Sequence, residues 1–306
     1  MSDQAIVQVK NLSHAYGERV ALGNVSLQVR QGEIFGLLGP NGGGKTTLFR
    51  ILSTFFSVPP EKVFLFGKDL ALDIRKAREK IGVVFQSPSL DKKLTVAENL
   101  RHQGHLYGLR GPLLETRIGQ MLHRVGLADR RGEQVEKLSG GLQRRAELAK
   151  AFLHRPSFLL MDEPSTGLDP GARKDLWDYL GNLRKQDGVT ILVTTHLMEE
   201  AERCDRIGIL DRGRLVALDA PNALRARIGG EVMIVRSGQP EKLGAAIREQ
   251  FGLEPKVLDG TVRLEHAQGR QWLPKLLETF PDQIEVISVG RPTLEDVFIQ
   301  LTGHRF

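Results

Sequence analysis

Apolar and polar residues alternate through the first thirty positions. Ile6, Val7 and Val9 precede a turn-prone Asn11, and Val25, Leu27 and Val29 recur at every second place. That period predicts strands over 5–31. The pattern then changes. Short unbroken apolar runs follow at IFGLL (34–38), Ile81 to Phe85, Phe158 to Met161 and VTILVTTH (189–196), each with the length of a strand buried on both faces. Between them the period lengthens to that of helices. These are 46–52, Leu94 to about Val125 with a break at Gly111 and Pro112, 142–153, and 172–187 with Leu176, Leu180 and Leu183 on one face. VFLFG (63–67) reads as a further strand after Pro59 and Pro60 interrupt the pattern, and DRGRLVALD as a hairpin turning at 211–214. Buried strands separated by helices predict an α/β chain.

The pattern shifts again near Pro221. NALRARIGG, with its paired glycines, reads as a linker. Beyond it come a strand (231–236), a helix (240–251), strands (255–265), a helix (270–280) and a strand (283–289). This β-α-β-β-α-β order matches a small α+β, ferredoxin-like domain. Trp272 and Phe280 read as core residues on their helix. Leu294, Val297, Phe298 and Leu301 predict a last amphipathic helix. The expected domains are therefore 1–220 and 221–306.

Composition adds limits. A chain of 306 residues can hold two domains, and 41% hydrophobic content is ordinary for globular protein. The longest apolar runs are far too short to span a bilayer, and the polar opening MSDQAIVQVK is no secretory leader. A cytoplasmic location is expected. The single cysteine, Cys204, excludes an intrachain disulfide and a cysteine zinc cluster and reads as an ordinary helix residue. The formal charge is +6, and it is local. Residues 221–306 balance eleven Lys and Arg with eleven Asp and Glu, whereas 92–150 hold twelve basic residues against six acidic ones. Such a surplus suits nucleic acid, an acidic partner, an anionic membrane surface or a solvated helix face.

The candidate chemistry gathers at the ends of the apolar runs. Gly39, then Gly44, Lys45 and Thr46, have the spacing G-x-x-x-x-G-K-[ST] between a strand and a helix, the phosphate-binding P-loop. Gly39, Gly42, Gly43 and Gly44 let successive backbone N–H groups turn inward, and the helix start adds positive charge. Lys45 is expected to reach the β- and γ-phosphates, and Thr46 to ligate Mg²⁺. Ser139, Gly140 and Gly141 open a second strong helix, where Ser139 is either an N-cap or part of a second anion-binding end. The strand at 158–161 delivers Asp162 and Glu163 at its carboxyl end, where ligands bind in such sheets. Asp162 is the expected Mg²⁺-holding carboxylate, and Glu163 a group to polarise an attacking water. Ser165 to Asp169 reads as an interface loop. His196, at another strand end, is either a satisfied polar group or a γ-phosphate contact. Tyr16 is either half-buried in its hairpin or stacked on a flat base.

Together these stretches resemble the nucleotide-binding subunit of an ATP-binding-cassette (ABC) transporter, over about residues 5–220. Gly39, Pro40, Asn41, Gly42, Gly43, Gly44, Lys45, Thr46 and Thr47 match Walker A, and Gln86 matches the Q-loop. Leu138–Gly141 match the signature motif, Phe158–Glu163 Walker B with its glutamate, Ser165–Asp169 the D-loop and His196 the switch histidine. Tyr16 takes the place of the aromatic A-loop. PTLEDVFIQLTG, with SLDKKLTVAENL and STGLDP, is similar to the drug- and antibiotic-efflux branch, of daunorubicin-resistance type, whose permease is a separate chain.

The resemblance implies a P-loop cassette with a mixed sheet, an antiparallel β subdomain and a helical subdomain at about 92–150. It also implies ATP and Mg²⁺ held by Lys45, Thr46, Thr47, Asp162 and Gln86. Glu163 would be the water-activating base, and His196 would steady the γ-phosphate. Ser139, Gly140 and Gly141 of a second copy would close over the nucleotide. A homodimer, a separate transmembrane permease and a peripheral place on the inner membrane face follow, with no nucleic acid expected. The basic segment faces the permease in the family, so acidic permease loops are expected against Arg101, Arg117 and Arg124. Two departures stand out. Leu142 occupies the fifth signature place, usually Gln, as efflux-branch relatives often have an apolar residue there. Gly43 stands where Ser or Ala is more usual. The rival readings are an ABC-type ATPase acting on nucleic acid or the ribosome and a regulatory cassette that binds ATP without turnover.

Overall fold

The computed structural model describes residues 4–306 and divides into two compact units that part between Leu218 and Asp219. In the first unit, β1 (Ala5–Tyr16) and β2 (Arg19–Arg30) pair antiparallel as a long hairpin. β3 (Ile34–Leu38) leads through a glycine-rich loop into α1 (Lys45–Leu52). β4 (Val63–Leu65), β5 (Lys68–Asp69) and α2 (Ile74–Lys80) come next, then β6 (Ile81–Val84). Three helices follow: α3 (Val96–Leu106), α4 (Gly111–Arg124) and α5 (Gly140–Phe152). The rest alternates as β7 (Phe158–Asp162), α6 (Pro170–Asp187), β8 (Thr190–Thr195), α7 (Met198–Ala201), β9 (Arg206–Asp211) and β10 (Arg214–Asp219).

Two sheets result, in the orders β2-β1-β4-β5 and β10-β9-β3-β8-β7-β6. The first is antiparallel. In the second, β6, β7, β8, β3 and β9 are mutually parallel, so their carboxyl ends, Val84, Asp162, Thr195 and Leu38 among them, gather on one side. The buried face of the antiparallel sheet, through Val7, Val9, Leu22, Val25 and Leu27, shares one core with Phe35, Phe49 and Phe158. Phe35, Phe49 and Phe158 have no exposed surface, and truncating any one of them to Ala should cost about 3–5 kcal/mol. This core fixes α1 and β7, and with them the loop before α1 and the acids after β7.

Local chemistry sets the helix starts. Thr95 caps α3 through a reciprocal capping box with Glu98, and Pro112 stands in the first turn of α4. Asp169 accepts from Ala172 N at 2.9 Å to start α6. Arg212 and Gly213 both have positive φ, the conformation of a tight hairpin turn between β9 and β10.

The second unit contains α8 (Pro221–Ala226), β11 (Glu231–Arg236), α9 (Pro240–Phe251), β12 (Lys256–Leu258), β13 (Thr261–His266), α10 (Gly269–Thr279), β14 (Val286–Gly290) and α11 (Leu294–Thr302). Its sheet, β12-β13-β11-β14, is antiparallel throughout, the order of a ferredoxin-like unit. Met233, Val235, Val262 and Leu264 pack on Leu243 and Ile247 of α9, Leu276 of α10 and Phe280 just after it. On α11, Asp296 both caps its own helix and pairs with Arg263, and both side chains are buried.

Three stretches differ from the sequence pattern. NALRARIGG is not an extended linker, because 221–226 form α8 with Leu224 fully buried. α2 (IRKAREK) has no apolar stripe, since Ala77 is its one buried residue. Cys204 lies in the turn after α7 rather than in the helix. Its thiol is buried and its pKa is pushed far up by that burial. It packs so closely on β3 that a Cβ at Gly36 would come within 2.8 Å of its sulfur.

Candidate functional site

The loop between β3 and α1 is held by backbone hydrogen bonds, within itself and to the end of β8 and the β9–β10 turn. Gly39 N donates to Thr195 O at 3.3 Å, Gly43 N to Pro40 O at 3.1 Å, and Gly213 N to Gly43 O at 3.0 Å. Gly42 and Gly44 have φ of 78° and 106°, values that favour glycine. Gly43 has a different reason to lack a side chain. A Cβ there would lie 3.0 Å from Pro40 O and 3.1 Å from Leu210 O. The sequence marked Gly43 as a departure from Ser or Ala; the structure adds tight packing as its reason.

Lys45 is buried inside the loop it follows. Its Nζ donates to Gly39 O at 2.7 Å and Pro40 O at 3.1 Å, and lies 3.5 Å from Glu163 Oε1. Burial pushes its pKa down, and the Glu163 carboxylate works against that shift. Asp162, the last residue of β7, is 4% exposed and accepts from Thr194 Oγ1 at 2.5 Å. Burial raises its pKa, with Thr194 opposing. Glu163 follows with φ of +42°, a conformation few non-glycine residues adopt. Its N–H is fixed by Thr194 O and Thr194 Oγ1 at 3.2 and 3.0 Å. Backbone strain at an acid beside a buried lysine has the character of a functional constraint.

Glu163 is where the motifs converge. Gln86 Nε2 donates to its Oε2 at 3.3 Å, and Thr166 Oγ1 to the same oxygen at 3.4 Å. His196 Nδ1 lies 3.2 Å from Oε2. That nitrogen makes no aligned hydrogen bond, so the contact is a close approach only. A single cleft of about 270 Å³ is lined by Tyr16, Arg19, Asn41, Lys45, Thr46, Thr47, Gln86 and Glu163, among others. Tyr16 is 45% exposed, with its hydroxyl 3.4 Å from Thr47 Oγ1 and its ring edge-on to Phe56. An exposed aromatic at the mouth of a cleft with a buried cation inside suits a ligand with a flat ring and an anionic tail. Thr46 and Gln86 line the cleft and Asp162 directly precedes its Glu163; hydroxyl, amide and carboxylate oxygens are hard donors, the type that suits a small divalent cation.

Ser139, Gly140 and Gly141 line no part of that cleft. Ser139 and Gly140 are exposed, and Gly141 lines another cavity with Leu168, Asp175 and Tyr179. The Ser139 hydroxyl accepts from Leu142 N at 3.4 Å, so it acts as an N-cap. Leu142, the departing signature residue, is half-buried.

The basic surplus of 92–150 is largely paired. Arg101 binds Glu115 at 2.7 Å, Arg124 binds Asp187 at 3.0 Å and Arg145 binds Asp175 at 2.6 Å. Arg117 reaches Leu153 O at 3.5 Å. These arginines do not form the unpaired basic face that acidic permease loops would need. Sequence reasoning also passed over several residues. Arg19 lines the cleft from the start of β2. Arg144 donates to Phe85 O and Pro164 O. Glu200 accepts from Ser165 and Thr195. Burial alone marks Arg144 and Glu200, and burial of a charged residue has no signature in one sequence.

Among the described residues no helix is long and apolar enough to cross a membrane. The ABC transporter family model matches residues 22–166. The daunorubicin resistance ATP-binding protein DrrA2 of Streptomyces coeruleorubidus is 36% identical over 313 residues, 99% of this chain and 97% of that protein. The Nod factor export ATP-binding protein I of Cupriavidus metallidurans is 39% identical over 305 residues, 98% of each. The dimeric, post-hydrolysis ATP-binding cassette MJ0796, bound to ADP and Pi, superposes with a TM-score of 0.64 at 28% identity, covering 70% of this chain and 98% of that one. With the P-loop and the β7 carboxylates arranged as described, the chain belongs to the ABC transporter family as an ATP-binding, ATP-hydrolysing subunit.

Proposed function

We propose that this subunit works as a homodimer on the cytoplasmic face of a separate membrane permease, exporting a drug-like, lipid or polysaccharide cargo. The family supports the dimer and the permease, and the resistance and export names of the relatives support the direction. We assign residues 1–220 to the ATP-binding domain and 221–306 to a C-terminal domain. The nucleic-acid reading loses part of its motive, because Arg101, Arg124 and Arg145 of the basic segment pair with acids of the same chain.

The observation that carries the site assignment is the Lys45–Glu163 contact at 3.5 Å inside the cleft shared with Gln86. Triphosphate entering the P-loop competes with the Glu163 carboxylate for the Lys45 ammonium, with the loop N–H groups adding donors. Released from that cation, Glu163 can accept a proton from water. His196, beside Oε2, then orients the water and the γ-phosphate after a small ring rotation brings Nδ1 into line. Gln86, hydrogen-bonded to Glu163 here, must give up that contact to turn its amide oxygen inward. Mg²⁺, when bound by Thr46, Gln86 and Asp162, would neutralise charge on the β- and γ-phosphates. Tyr16 would stack on the base, while Thr47 binds phosphate from α1. Ser139, Gly140 and Gly141 would serve the partner's nucleotide.

The test is phosphate release with and without Mg²⁺, for wild type and Glu163→Gln. Mg²⁺-dependent turnover lost in the variant, with nucleotide binding retained, supports the roles. Equal rates would remove Glu163 from its role and revive a non-hydrolysing cassette.

A further inference from the structure

Arg144 lies in α5, about one turn in from the exposed Ser139 end. Its side chain is 9% exposed. Its neighbour Arg145 reaches Asp175 at the surface, but Arg144 has two backbone carbonyls as its hydrogen-bond acceptors. Nε donates to Pro164 O at 2.7 Å, and Nη1 to Phe85 O at 2.8 Å. Pro164 is the residue after Glu163, and Phe85 the residue before Gln86. One rigid, planar fork therefore joins the signature helix to the peptide groups flanking both residues that meet in the cleft.

Two further grips lie along α5. Glu147, buried, accepts from Ser89 N at 2.6 Å and Ser89 Oγ at 3.1 Å. Lys150 Nζ donates to Ser89 O at 2.6 Å. On the other side of Pro164, Ser165 donates to Glu200, whose second oxygen accepts from Thr195 Oγ1 at 2.5 Å, one residue before His196. The strained Glu163 backbone is thus bracketed by a clamp from α5 and by a buried network from the His196 loop.

We propose that Arg144 is a positioning residue that makes the placement of Glu163 and Gln86 depend on the orientation of the signature helix. Built on the homodimer reading, this has a specific consequence. Signature and hydrolytic loops of one subunit serve different nucleotides, so Arg144 carries the state of one site to the other. A single-point ammonium cannot span both carbonyls as the guanidinium fork does. An unpaired carbonyl left behind at either loop is costly where it is buried.

The experiment uses the full-length chain as wild type, Arg144→Met and Arg144→Lys. It measures kcat, KM and the Hill coefficient for ATP, and Kd for a fluorescent ADP on dilute protein. The expected result for both variants is kcat lowered about tenfold or more with Kd for ADP within about twofold. The Hill coefficient should fall from about two toward one. Arg144→Lys keeps charge and most of the volume, so it carries the test if Arg144→Met does not fold. Unchanged kcat and Hill coefficient in Arg144→Lys would overturn the proposal, as would a loss confined to KM. Light scattering of Glu163→Gln with ATP separates the two ideas. If that protein stays monomeric, the dimer reading fails, and Arg144 is then judged on the kcat and Kd values alone.

Discussion

The P-loop and the signature start are both glycine-rich openings of helices, yet they differ in almost every physical respect. At the P-loop the polar groups are enclosed and already paired. Lys45 is 3% exposed, donates to two carbonyls and faces Glu163, which Gln86 and Thr166 also contact. At the signature, Ser139 and Gly140 are exposed, and the serine hydroxyl has only a long cap bond. The first is a pocket whose polar groups are satisfied from within one chain. The second is a surface whose polar groups are satisfied only weakly from within, as suits one completed by another molecule. The difference teaches that a motif's spacing marks an anion-binding geometry but not whose anion it binds.

Substitutions can break or sharpen this contrast. The largest effect is expected from Glu163→Gln. Hydrolysis should fall on the order of a thousandfold, within the range usual for a general base. Phosphate release measures it, and nucleotide binding should persist. Lys45→Ala comes next, with turnover down about a hundredfold and ATP affinity also reduced. The Glu163 carboxylate loses its nearest cation in that variant, so its thermal midpoint should fall as well, which calorimetry would read.

Ser139→Ala sharpens the other half. Its cap bond predicts a stability loss of only about 0.5–1 kcal/mol, whereas the proposed role on a partner's nucleotide predicts turnover lowered about tenfold. A loss of stability with full activity would return Ser139 to a cap and nothing more. The smallest effect concerns pH at the far end of the same helical region. His154 stacks on Tyr107 at 3.7 Å, and burial holds its pKa down at about 4 against an ordinary 6.5. The unfolded chain therefore binds this proton more readily than the folded one between those values. Stability should fall as pH drops from 6.5 toward 4, by on the order of 2 kcal/mol at pH 5 from this group, and change little with it well above 6.5. Urea titration of wild type and His154→Phe, compared at pH 7.5 and 5, should show a shallower loss in the variant.

The contrast also explains what was legible in the sequence. β3, β7 and β8 are buried on both faces and bounded by loops of fixed chemistry, so unbroken apolar runs revealed them together with Lys45, Asp162 and His196. The ferredoxin-like order of the second unit was readable for a similar reason, since its elements alternate cleanly in period. α2 and α8 were not readable. One buries a single alanine and the other is six residues long, so neither carries a helical stripe. At the site, RR at 144–145 reads as two equivalent basic residues. Tertiary placement alone sends Arg144 inward to two carbonyls and Arg145 outward to Asp175. Glu200 is likewise one of three glutamates in MEEAE, and only its 2% exposure sets it apart.

The central claim is that each active site joins the P-loop of one subunit to the signature of another. Mixing Lys45→Ala protein with Gly140→Asp protein tests it most directly. Each alone should be nearly inactive. A mixed dimer would hold one intact composite site and one doubly broken site, so an equal mixture should recover up to about a quarter of wild-type turnover. Turnover of the mixture no greater than the mean of the two variants would contradict the account.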